Sequence, residues 1–292
     1  MKILLTGATG FVGKNLVAEL KKNHELHILV RPGSEWTNLG IEKVVEFSDD
    51  IASLANYMIE HHVDGVVHLA SLYIAEHKSK DIKDLVMSNV FLGTALLEAC
   101  KLSGVKWFIN TGTIWQNYRV NDYSNQYNPV NLYAASKQAF ITMAKFYMET
   151  TGIRFCTLKL CDTYGPNDTR RKIFKLFKDS AENGEILKMS PGEQKLDLLF
   201  ISDVVQGFKH LTELLSSGEE LAQEYVLSSG LQISLKEIAQ RFEAISGMKL
   251  NIEWGGMPYR EREVMNPWVG PVLKGWYPCV SLDEGIRMFI TS

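Results

Sequence analysis

No dense run of Lys or Arg occurs anywhere in the 292 residues, and the formal net charge is only −3. Neither a nucleic acid nor an anionic membrane is therefore an expected partner. Cysteine is scarce. Cys100, Cys156, Cys161 and Cys279 form no CxxC pair, which argues against a disulfide framework and against a zinc site, and no metal is expected. Reduced thiols of a cytoplasmic protein are the expectation. Long apolar runs are missing too: no stretch approaches the ~20 residues that cross a bilayer. Met1–Leu5 is basic then apolar, but Thr6-Gly7 cuts it short of a signal peptide's apolar region. Internal repeats and low-complexity segments are absent.

What the chain does have is apolar residues, 46% of the total, enough for a substantial core. Short β-branched runs at 2–5, 26–30, 43–47, 65–69, 107–110 and 155–160 alternate with helical patterns near 11–22, 51–62, 84–103 and 131–151. This alternation predicts βαβ units wound right-handedly into a Rossmann-type, doubly wound parallel sheet, an α/β fold. The regularity ends near 160. Residues 163–168 (TYGPND) predict a turn, followed by helix 171–183, strand 196–201, helix 203–216, strand 224–227 and helix 234–246. The expected division is a dinucleotide-binding domain over 1–162, to which 197–228 returns. A smaller C-terminal substrate-binding lobe would comprise 163–196 and 229–292.

Residues 6–13 read TGATGFVG. Gly7, Gly10 and Gly13 fall between the first strand and the first helix. There the first glycine permits a tight turn, the second lets a pyrophosphate approach the backbone, and the third lets helix and strand pack closely. Thr9, Phe11 and Val12 complete the expected cofactor contacts. An NAD enzyme places a carboxylate after the second strand to bind the ribose hydroxyls. Here Arg31 stands there, and a guanidinium suits a 2′-phosphate. NADPH is therefore the expected cofactor, with NAD as the alternative. Asp49 or Asp50, after the third strand, is expected near the adenine ring.

Tyr133 and Lys137, in YAASK, lie i, i+4 on one helix face. An ammonium beside a phenol would lower its pKa and ready it for proton exchange with a carbinol or carbonyl. Thr111 ends the fifth strand at the sheet's carboxyl edge, where open α/β sheets bind ligands. Its hydroxyl can orient the reacting oxygen, and Thr113 is the rival for that role.

With these motifs in place, the sequence resembles the extended short-chain dehydrogenases/reductases, the nucleotide-sugar epimerase/dehydratase group. The resemblance is carried by TGATGFVG, VVHLAS (66–71), SNVFLGTALLEAC (88–100), YAASK, TYGP (163–166) and LFISDVV (199–205). Residues 191–205 and 278–286 look most like a subgroup, the CDP-paratose/CDP-abequose synthase-like 4-ketoreductases. The resemblance implies a catalytic set of Thr111, Tyr133 and Lys137, with His68, Leu69, Ala70 and Asn89 framing the nicotinamide. Departures concern the pocket: Asn110-Thr111 at the strand end, Ile114-Trp115-Gln116 after it, Lys159 for an Arg, and Asp162 for an Asn.

Dehydratase relatives carry an Asp-Glu pair just after the catalytic Thr. Gly112 and Thr113 stand there, which argues against dehydration. The expected reaction is reduction of the C4 ketone of a nucleotide-diphosphate 4-keto-6-deoxy sugar. A redox-neutral NAD-dependent 4-epimerase is the alternative, and a non-catalytic NADP sensor is remote because such proteins lack the Tyr–Lys pair. Arg170, Arg171, Arg260 and Arg262 are candidates for the diphosphate, and Trp115, Asp162 and His77 for the sugar pocket. The helical patterns at 84–103 and 131–151 are apolar nearly all round, which predicts a homodimer through a four-helix interface.

Overall fold

The computed structural model describes all residues, Met1–Ser292. Seven strands form one parallel sheet: β1 (Lys2–Thr6), β2 (Glu25–Val30), β3 (Lys43–Glu46), β4 (Gly65–His68), β5 (Trp107–Thr113), β6 (Arg154–Leu160) and β10 (Glu224–Leu227). Their order is β10-β6-β5-β4-β1-β2-β3. Consecutive residues feed opposite faces: Ile3 and Leu5 join one core, Leu4 the other; Trp107 and Ile109 join the first, Phe108 the second. A strand buried on both faces needs this continuous apolar run.

Helices α2 (Ile51–Glu60), α4 (Leu92–Ser103) and α5 (Leu132–Thr151) pack on the second face. On the first face α1 (Phe11–Leu20) packs against α7 (Ile201–Ser217). That core continues into α6 (Ile173–Asn183), α8 (Leu235–Ser246) and α9 (Leu282–Ile290) through Phe174, Phe177, Phe242 and Phe289. Helix α3 (Ile82–Val86), a π-bulge at Met87–Phe91 and α4 run on as one helical segment. Contrary to the sequence expectation, this segment, Ser79–Ser103, is by length and composition alone long and apolar enough to cross a membrane, yet half of its apolar window is buried inside the protein.

Strands β7 (Asp162–Tyr164), β9 (Lys195–Phe200) and β11 (Gln232–Ser234) make a small mixed sheet, and β8 (Leu187–Met189) pairs with β12 (Ile252–Trp254). The predicted turn at 163–168 is thus strand through Tyr164 and turns only afterwards. Strand order reverses between β1 and β4, and the crevice at their carboxyl ends is where dinucleotides sit in such sheets.

Candidate active site

The glycine loop leaves β1 with Gly7 at φ +72°, and a Cβ there would stand 2.6 Å from the Ala70 backbone nitrogen. Both requirements exclude other residues. At Gly13 a Cβ would fall 2.1 Å from the Gly7 carbonyl oxygen, so helix and loop touch directly. No side chain caps α1, which begins after Gly10. Its first N–H groups therefore face the crevice with the positive end of the helix dipole, a setting that fits a pyrophosphate. Arg31 follows β2, exposed and without an ion-pair partner. Asp49 is exposed in the left-handed region at φ 64°. Asp50 accepts hydrogen bonds from the Ser53 N–H and hydroxyl as the N-cap of α2. Of the two carboxylates expected at the adenine, Asp50 is thus committed to its helix.

Asn131 starts α5 by accepting from the Ala134 N–H while its amide donates to the Ala75 carbonyl. This fixes Tyr133 and Lys137 against β5. A single cavity of about 680 Å³ contains Val12, Leu69, Thr111, Tyr133 and Lys137 in its wall. The Thr111 hydroxyl is buried and has no protein partner, whereas the Thr113 hydroxyl accepts from the Trp115 N–H. The free oxygen is Thr111's.

Burial pushes the Tyr133 phenol up to about 12; a Ser71 hydroxyl contact pulls against that and the Tyr73 phenol adds to it. The expected lowering by Lys137 is therefore not what governs this group. Burial instead brings Lys137 down to about 8. Below the pair, burial and then Lys137 hold His68 neutral, down to about 3, with its Nδ1 2.8 Å from the Thr6 hydroxyl oxygen.

Asn89, expected at the nicotinamide, sits in the π-bulge, fully buried. Its amide oxygen accepts from the Leu72 N–H and the Ser71 hydroxyl; its nitrogen donates to the Leu72 carbonyl and to Ser136 Oγ. It braces the β4 loop against α5, and both ends of its amide are occupied by protein groups.

A second cavity of about 600 Å³ shares Tyr73, Trp115, Asp162, Arg171, Lys172 and Arg260 with the first and extends to Leu196, Val264 and Phe289. Its polar groups are mostly paired. Lys172 Nζ lies 3.2 Å from Asp162 Oδ1 and 5.0 Å from the centre of the Tyr73 ring. Arg260 Nε is 3.3 Å from Glu76. Arg262 donates to Asn128 and covers the Tyr118 ring, and exposed His77 sits at the cavity wall. Arg170, expected at the diphosphate, is bound by both oxygens of Asp168 and by Thr163. Arg171 is exposed at the wall and takes part in no ion pair. Sequence reasoning missed Ser71, Tyr73 and Lys172. Tyr73 packs edge-on to Tyr133 with ring centres 5.0 Å apart and lies 5.8 Å from the Trp115 ring. The only signal for the three was their place in the sequence: Ser71 ends VVHLAS, Tyr73 lies two residues beyond it, and Lys172 follows the Arg pair.

A glycine-loop Rossmann sheet with Thr, Tyr and Lys at its carboxyl edge defines a nicotinamide-dependent enzyme of the short-chain dehydrogenase/reductase type. The chain belongs to the NAD dependent epimerase/dehydratase family, which matches residues 3–226. A CDP-abequose synthase of Salmonella muenchen is 28% identical over 298 residues, covering 99% of this chain and 97% of its own length. A dTDP-4-dehydro-6-deoxyglucose reductase of Escherichia coli is 24% identical, covering 99% of this chain and 96% of its own. Among solved structures, a UDP-glucose 4-epimerase from Brucella ovis in complex with NAD superposes with a TM-score of 0.86 at 19% identity, covering 99% of this chain and 97% of that one. That last likeness establishes the fold.

Proposed function

We propose that the protein reduces the C4 ketone of a nucleotide-diphosphate 4-keto-6-deoxy sugar with NADPH. One observation carries the reading. The cavity sets a free Thr111 hydroxyl, a neutral Tyr133 phenol and a cationic Lys137 together, with Gly112 and Thr113 where a dehydration would need carboxylates. A phenol held at about 12 is protonated at neutral pH, the form needed to give a proton to an oxygen that gains charge. Thr111 donates to the same oxygen and orients it. Lys137 stabilises negative charge developing on the phenol oxygen, and burial strengthens that effect. The bound dinucleotide supplies the hydride. The relatives named as CDP-abequose synthase and as a dTDP-4-dehydro-6-deoxyglucose reductase support a reduction.

Arg31 supports NADPH. Exposed and unpaired after β2, it is available for a 2′-phosphate. A charge-assisted hydrogen bond contributes about 1.5–3 kcal/mol, roughly one to two decades of affinity. Titration of both cofactors tests this: Arg31→Ala should weaken NADPH far more than NADH. Equal cofactor affinities in the wild type, or tightly retained NAD, would favour a second reading, an NAD-dependent 4-epimerase. The likeness to an epimerase bound to NAD is the observation on that side.

Arg171 is the group we assign to the substrate diphosphate, with Trp115 and Tyr73 walling the sugar. The working unit in this reading is a homodimer. Met143 and Phe146 on α5 and Val86 beside the π-bulge are 44%, 58% and 47% exposed, so the C-terminal lobe leaves this apolar face uncovered.

A further inference from the structure

Arg170 looks, by position, like a substrate ligand. It follows the strand that ends at the cavity and immediately precedes Arg171 and Lys172. Its surroundings say otherwise. Nε and NH2 each donate to an Asp168 oxygen at 2.7 Å, and NH2 also reaches the Thr163 carbonyl and hydroxyl at 2.9 and 3.1 Å. Asp168 is buried, and its Oδ1 additionally accepts from the Arg170 N–H; Nε and NH2 are thus committed within the protein, and only NH1, at the cavity wall, has no protein partner. A fork whose charge is matched in this way is a poor anion ligand. Its planar face is used differently: the guanidinium carbon lies 4.3 Å from the centre of the Phe11 ring.

Phe11 is the first residue of α1 and belongs to the glycine loop. Between Thr6 and Gly13 the other residues are small except Val12, so Phe11 carries the loop's one aromatic handle. The ring edge also faces Gly165, where an added Cβ would stand 3.5 Å from the Phe11 Cζ. Its carbonyl accepts from the Asn15 amide. A glycine-rich loop has little side-chain packing to define its backbone, and glycine's freedom costs entropy when the loop is ordered. A rigid cation–π stack outside the loop reduces that freedom before any ligand arrives.

We propose that Arg170 is a positioning residue for the cofactor: clamped by Asp168, it fixes the Phe11 ring and thereby the glycine loop that receives the dinucleotide. The substrate diphosphate is left to Arg171. The inference rests on the dinucleotide part of the proposed function and is independent of the substrate's identity. It predicts a separation that sequence position would not suggest: adjacent arginines serving different ligands.

Fluorescence titrations of NADPH, NADH, CDP and UDP with wild type, Arg170→Lys, Phe11→Leu, the double variant and Arg171→Ala test it. Thermal melting without ligand controls for folding. Arg170→Lys keeps the charge beside Asp168 but loses the flat stacking face. The expected result is a dinucleotide Kd raised about fivefold to tenfold in Arg170→Lys and in Phe11→Leu, and raised no further in the double variant, because both act through one contact. CDP and UDP should stay within about twofold in those variants and weaken in Arg171→Ala. An unchanged dinucleotide Kd in Arg170→Lys, an additive double variant, or a selective loss of CDP and UDP in Arg170→Lys overturns the proposal. If the wild type binds neither CDP nor UDP, the nucleotide-sugar reading fails while the dinucleotide titrations still decide the role of Arg170.

Discussion

Gly7 stands so close to Ala70 that a single added Cβ would lie 2.6 Å from the Ala70 backbone nitrogen, and Gly7 adopts φ +72°. The crevice between β1 and β4 is therefore closed at its base by two backbones. Gly7→Ala should be destabilising by about 1–3 kcal/mol from the dihedral alone. It should cost more in cofactor affinity, because the clash is with backbone. Differential scanning calorimetry and NADPH titration measure both. A Gly7→Ala protein with wild-type melting and wild-type cofactor affinity would show that this contact does not shape the loop.

Lys137 and His68 both contribute to the dependence of stability on pH. Both are bases whose folded pKa lies below the ordinary value, so the unfolded chain binds more protons in the windows between. For His68, from about 3 up to 6.5, stability rises with pH and is lost as acid is added. For Lys137, from about 8 up to 10.5, stability again rises with pH as the cost of its buried charge fades. Lys137→Met should therefore melt higher than wild type at pH 7, by the equivalent of about 1–3 kcal/mol, and the advantage should shrink toward pH 10. The same substitution should abolish turnover. In the wild type, reduction should fall as pH rises through about 8, where Lys137 loses its proton while Tyr133 keeps its own.

The parts of the site read from sequence are those with a local pattern. The three glycines, the i, i+4 pair and Thr111 at a strand end each follow from periodicity or spacing; Thr111, Tyr133 and Lys137 share one cavity wall with Val12 of the glycine loop. What the sequence hid depends on tertiary burial. The Tyr133 pKa is governed by desolvation, which no motif reports, so the sequence expectation had the wrong direction. Asn89 is buried within the π-bulge, an irregularity with no sequence signal. Strand β7 was hidden because Gly165, Pro166, Asn167 and Asp168 follow it at once and their turn chemistry dominates the window. Arg170 looked free because its partner Asp168 was counted as a turn residue.

The Asp162–Lys172 pair, 3.2 Å apart, places a carboxylate in the cavity wall beside the cations that would receive a diphosphate. Asp162→Asn removes that charge and leaves Lys172 unopposed. A nucleoside diphosphate should bind about threefold to tenfold tighter, the size of one partly screened charge interaction. Isothermal titration with CDP and UDP reads this directly, and weaker binding would mean that Asp162 itself holds the ligand.

Phe146 is the most exposed apolar side chain on α5. If this face joins two subunits, Phe146→Asp buries a charge in the interface and should yield a monomer by light scattering at micromolar concentration, with the fold intact by circular dichroism. A wild type that is already monomeric under the same conditions contradicts the dimer.

The stoichiometry of cofactor use distinguishes a net reduction, with Tyr133 as proton donor, from epimerisation. Purified protein is mixed with NADPH and a nucleotide-diphosphate 4-keto-6-deoxy sugar, and absorbance loss is compared with product formed. One NADPH should be oxidised per C4 carbinol produced, NADH should react more slowly, and Tyr133→Phe should lose at least about two decades of rate, the scale of one proton-transfer group. Interconversion of C4 epimers without cofactor consumption, or near wild-type turnover in Tyr133→Phe, would contradict that reading.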